Sequence, residues 1–117
     1  METKFNFNSQ VCTDKNQSER LLALGLKKET ADMHYWESEG KIYTYVGQMG
    51  DPNGIPAWSL HRLLLLIPKE VNIEGYRFPS RFSAIMRMAE ADDMYEYLID
   101  VLEREINGGY LNKEYLV

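Results

Sequence analysis

Five consecutive apolar residues, Leu63 to Ile67, end at Pro68, and they constrain the fold more than any other feature of the chain. They close a stretch, 57–67, that is broken only by Ser59, His61 and Arg62. Read as a helix with Pro56 near its first turn, where a missing N–H costs nothing, this stretch is apolar on most sides. Such a helix has to be covered on several faces, by the core or by another subunit. It is too short to cross a membrane, which takes roughly 18 to 20 apolar residues.

The cover must come from the rest of a 117-residue chain, a length that suits one domain. Thr13 or Asp14 caps a first helix over 14–24. Gln17 completes a capping box, Gly25 stops the helix, and Leu26 makes the hydrophobic contact of a Schellman motif. Thr30 to Met33 reads as a short capped turn. Residues 34–37 and 41–46 form a hairpin around Glu39-Gly40, rich in strand-prone Tyr35, Trp36, Ile42, Tyr43, Tyr45 and Val46. Residues 47–56 hold three glycines and two prolines and form a loop.

Residues 71–78 read as one or two short strands with a tight turn at Glu74-Gly75. In 82–88, Phe82, Ala84, Met86 and Met88 alternate with Ser83, Ile85 and Arg87, the period of a strand that sends Phe82 and Phe78 inward. A last helix runs from Asp92 or Asp93 to Asn107. Met94, Leu98, Val101 and Leu102 form its apolar stripe, Glu96, Asp100 and Glu103 lie opposite, and Gly108-Gly109 end it. Residues 4–11 alternate as a strand or form a loose arm. The order predicts an α+β fold: an antiparallel sheet of hairpins with about three helices packed on it, in two layers. Residues 1–117 form one domain, with 1–12 and 110–117 as candidate arms, the latter apolar enough to dock.

A net charge of −5 argues against a broad phosphate-binding surface. The lone cysteine, Cys12, excludes an intrachain disulfide and fits a reducing, cytoplasmic setting. No apolar leader follows the first methionine, so the Asn16-Gln17-Ser18 sequon reads as chance.

The chemistry-bearing residues are scattered. Asp32, His34, His61 and Cys12 lack the spacing of a metal site, and Ser59 lies in no nucleophile elbow. Gly47 and Gly50 precede Asp51-Pro52 rather than a phosphate-binding lysine. The sequence therefore calls for no catalytic residue, metal or cofactor. Seven acidic residues between Glu90 and Glu105, opposed only by Arg104, read as a solvated face. Arg77, Arg81 and Arg87 interleave with Tyr76, Phe78 and Phe82, a pattern able to stack on single-stranded nucleic acid. Trp36, Tyr43 and Tyr45 give the hairpin an aromatic character that serves interfaces when exposed.

Two blocks are familiar as a pair: Gln17-Ser-Glu-Arg-Leu-Leu-Ala-Leu-Gly-Leu-Lys-Lys-Glu-Thr-Ala-Asp-Met33 and Ile55-Pro-Ala-Trp-Ser-Leu-His-Arg-Leu-Leu-Leu-Leu-Ile-Pro68. Together they resemble a family of small uncharacterised proteins of gut Bacteroidetes genomes and their prophages or mobile elements. The resemblance implies a bacterial phage or mobile-element accessory role and carries no site residue with it. The expectation is a non-enzymatic interaction or structural protein that self-associates into a homo-oligomer or meets a protein partner. The alternatives are nucleic-acid binding through the arginines, and an enzyme assembled from scattered residues such as Asp32, His34 and His61.

Overall fold

The computed structural model describes residues 10–46 and 54–117. The expected strand or arm at 4–11, but for the exposed Gln10 and Val11, and most of the loop at 47–56 lie outside them. The order of elements is α1 (Lys15–Ala23), a 3₁₀ turn (Lys28–Thr30), β1 (Met33–Ser38), β2 (Lys41–Val46), β3 (Ile55–Ala57), α2 (Leu60–Leu66), β4 (Val71–Ile73), β5 (Tyr76–Phe78), α3 (Ser80–Met88), α4 (Met94–Asn107) and a closing 3₁₀ turn (Lys113–Tyr115). The fold is α+β, with two small antiparallel sheets, β2-β1-β3 and β4-β5.

Local chemistry sets most boundaries. The Asp14 carboxylate accepts the Gln17 N–H and the Gln17 side chain accepts the Asp14 N–H, which is the expected capping box. Gly25, at φ 100°, ends α1 in a Schellman motif: Leu26 N–H bonds the Leu21 carbonyl and Gly25 N–H bonds that of Leu22. Asp93 caps α4 through the Glu96 N–H. Both hairpins turn on Glu-Gly. Glu39 and Gly40 have φ 51° and 77°, and Glu74 and Gly75 have φ 52° and 86°. Two successive positive φ values give the turn whose twist matches that of the strands.

Two elements differ from expectation. Residues 80–88 form α3, not a strand. Their alternation of apolar residues fits a period of 2, but Ser80, Ser83, Ala84 and Arg87 recur at helical spacing, and Ala, Met and Arg favour helix. As a result Phe82, expected inside, is 63% exposed. The second helix also begins later than expected. Pro56 and Ala57 belong to β3, an edge strand that tolerates proline, and α2 starts at Leu60 behind a Ser59 N-cap. With only two turns, α2 buries Leu63 and Leu66 and leaves Leu65 exposed.

The central element is therefore α4, which packs against α1, α2 and α3. Its Leu98, Ile99 and Leu102 are fully buried with Leu21, Leu26, Leu63, Ile67 and Trp58. The 110–117 segment is docked, not loose. Leu111 is buried, Leu26 and Leu116 form a bridge, Lys27 N–H bonds the Tyr115 carbonyl, and Val117 N–H bonds that of Gly25. Among the described residues no helix is long and apolar enough to cross a membrane.

Trp58 joins the sheet to the helices. Thr13 N–H bonds its carbonyl at 2.9 Å, its own N–H reaches Thr13 Oγ1 at 3.1 Å, and its indole N–H reaches Thr30 Oγ1 at 3.0 Å. Thr13 is almost fully buried, so Thr13→Val keeps the shape but leaves the Trp58 N–H without an acceptor. The expected cost is about 2 kcal/mol, read from the urea unfolding midpoint.

Candidate functional site

Strand parity divides the β1–β2 hairpin into two faces. Met33 and Tyr35 point toward a small core with Cys12, Ile55 and Ala57. His34 and Trp36 point the other way, and the register sets them opposite Tyr45 and Tyr43. The His34 and Tyr45 rings stack at 5.2 Å between centroids. This outer face is aromatic, and Trp36, Tyr43 and Tyr45, the expected interaction residues, are brought together on it.

Strand β2 lies at the edge of its sheet and all six of its residues are exposed. Ile42 is 66% and Val46 86% exposed, on the face opposite Tyr43 and Tyr45. Lys41 is its single charge. Among the described residues nothing pairs with its outer edge. Protein edges are usually blunted by charges, prolines or bulges, and in β2 only Lys41 serves that purpose.

The three candidate arginines do not form one surface. Arg81 is committed to the helix before it: its Nε donates to the Ile67 carbonyl at 2.9 Å and an Nη to that of Leu65 at 3.0 Å. It caps the C-terminus of α2 ahead of Pro68. Arg77 is exposed on β5, and Arg87, on α3 and not on a strand, lines a cleft between the β4–β5 hairpin, α3 and α4.

Asp32, His34 and His61 are likewise kept apart. The Asp32 carboxylate accepts both the N–H and the hydroxyl of Ser59, and Ser59 in turn caps α2. His34 lies on the aromatic face and His61 is exposed on α2. Among the described residues no group of three or more His, Cys, Asp or Glu could hold a metal ion.

Two features escaped the sequence reading. The acidic face of α4 is not merely solvated. Arg20, on α1, reaches Glu96, Asp100 and Glu103 at 3.2, 2.6 and 2.5 Å, and Gln17 donates to Glu96. Hydrogen bonds to Glu103 and then Asp100 raise the guanidinium pKa further. The i, i+4, i+7 spacing of the three acids was the available signal; the lone arginine on α1 was its answer.

The second feature is a cleft of about 470 Å³ between the β4–β5 hairpin, α3 and α4. Its walls include Val71, Ile73 and Phe78 from the hairpin. Inside it the buried Glu105 accepts the Ser80 hydroxyl. Arg87 and Arg104 also line the cleft, beside Tyr97 and Tyr110. A smaller gap of about 250 Å³ lies beside Cys12, Tyr35 and Ile42. Burial, then the charges of Asp32 and Asp14, push the Cys12 thiol pKa up, which disfavours the thiolate. None of Asp32, His34 and His61 lines either space.

No protein-family model, curated protein or solved structure matches this chain.

Tyr35 is 5% exposed; Ser18 lies beside its hydroxyl, but among the described residues none meets it with hydrogen-bond geometry. Burial pushes its pKa up from 10.0 to about 12. In the unfolded chain the phenol ionises first, so its contribution is intact below pH 10 and lost as pH rises toward 12. Tyr35→Phe is expected to stabilise the protein by about 1 kcal/mol at neutral pH, by removing the unsatisfied hydroxyl. It should also flatten the fall in stability between those two pH values. Urea midpoints at neutral and alkaline pH read both effects.

Proposed function

We propose that this protein is a non-enzymatic interaction protein that self-associates through the outer edge of β2, as an accessory factor of phage or mobile-element origin. The carrying observation is the six-residue edge strand, exposed along its whole length, apolar on one face and aromatic on the other. Two copies meeting edge to edge would continue the antiparallel ladder and join their aromatic rows. The occupant that fits is a second copy. With the two-fold axis at Tyr43 or Thr44, Lys41 never faces its own counterpart, so the pairing brings no like charges together. Seven of the eighteen acidic residues lie between Glu90 and Glu105, outside this strand. The sequence resemblance supports the phage or mobile-element setting, and the single cysteine fits a reducing cytoplasm.

Sedimentation equilibrium is expected to give a dimer. Ile42→Lys and Tyr43→Lys should each weaken it about tenfold or more, because a charge on an edge opposes pairing. A strict monomer at high concentration overturns the proposal. So does a dimer untouched by both lysines, which would place the interface elsewhere.

A further inference from the structure

We infer that the cleft between the β4–β5 hairpin, α3 and α4 binds a small organic anion, a carboxylate or phosphate carried on an apolar body. Its volume, about 470 Å³, lies in the range of small-molecule sites. The two helices face it with matching stripes: Ser80, Ser83, Ala84 and Arg87 from α3, and Tyr97, Val101, Arg104 and Glu105 from α4. The Ser80–Glu105 hydrogen bond sets the start of α3 against the end of α4, so the helices run antiparallel. Arg104 therefore stands at one end of the cleft. Arg87 comes seven residues after Ser80, about 10 Å along the axis.

Charge decides the class of ligand. The molecule is acidic overall, yet this cleft carries two arginines against one carboxylate. That carboxylate, Glu105, is buried and already engaged by Ser80. Among the described residues neither Arg87 nor Arg104 forms an ion pair, so both guanidinium groups are without an acidic partner there. Guanidinium forks suit carboxylate and phosphate oxygens. Val71, Ile73 and Phe78 supply a wall for an apolar body, and Tyr97 and Tyr110 supply aromatic faces. Gly108 helps to form the site: a Cβ there would lie 2.6 Å from the Tyr110 ring, so glycine lets that ring fold against the end of α4.

The test uses the full chain and anilinonaphthalene sulfonate, an aromatic anion that fluoresces in apolar surroundings. Saturable binding is expected, displaced by a phenylalkyl carboxylate or by phenyl phosphate, and whichever displaces better identifies the anionic group. A phenylalkyl alcohol and inorganic phosphate should displace poorly. The Arg87→Ala, Arg104→Ala double variant should raise the dissociation constant at least about tenfold. Lys113→Ala, an exposed charge outside the cleft, should leave it unchanged. The inference is overturned if the double variant, shown to be folded by its circular dichroism, binds the probe like the parent. It is also overturned if Lys113→Ala weakens binding as much, or if the alcohol displaces as well as the anions.

Discussion

The pairing of Thr13 with Trp58 holds the two halves of the molecule to one another. The residue that leads into α1 donates its N–H to the Trp58 carbonyl, and Trp58, between β3 and α2, donates its N–H to the Thr13 hydroxyl oxygen. Thr13 also bonds Ser18 inside the first helix, and the Trp58 indole reaches back to the 3₁₀ turn through Thr30. Three segments distant in sequence are thus fixed around one ring that sees no solvent. Position matters more than the number of bonds. Thr13, Ser18 and the Trp58 backbone are out of reach of water, so a missing partner there would carry the full cost of desolvation. Asp32 extends the same logic one residue further, holding Ser59 and through it the start of α2.

Sequence reasoning succeeded where a local rule had no competitor. The capping box at Asp14 and Gln17, the glycine stop at Gly25, the Glu-Gly turns and the α4 stripe are all short-range devices, and each appears as read except at Met94, which starts the stripe but is exposed. It failed where two local rules fitted the same residues. The 82–88 segment satisfies a strand period and a helix period at once, and its packing against α2 and α4 decides between them. Pro56 suits a helix start and an edge strand equally, and pairing with His34 decides for the strand. The partnership of Arg20 with α4 joins residues far apart in the chain, beyond any local pattern. The Ser80–Glu105 bond that shapes the cleft is of the same long-range kind.

The candidate surfaces show the same division. The aromatic residues of the hairpin were visible as a composition, and strand parity alone gathers His34, Trp36, Tyr43 and Tyr45 on one face. The arginines were also visible, but their roles were not. Arg81 turned out to be a helix cap, while Arg104, read only as a lone counter-charge in an acidic run, faces a cleft. A charged residue in a sequence gives its charge; only the carbonyls and carboxylates around it decide whether that charge remains available.

The docking of 110–117 onto the segment after α1 has a consequence for how the chain is made. Gly25, Leu26 and Lys27 find their partners in Tyr115, Leu116 and Val117, and α1 finds its ionic partners on α4. During synthesis the first helix emerges early, yet the surfaces that hold it emerge last. Until then α1 has β3 to pack against but not α4, and Leu21 and Leu26 lack the cover of Leu98, Leu102 and Leu111. Folding of the helical layer is therefore delayed until residues 94–117 have been made, and a ribosome stalled within them would present a first helix that still lacks those partners.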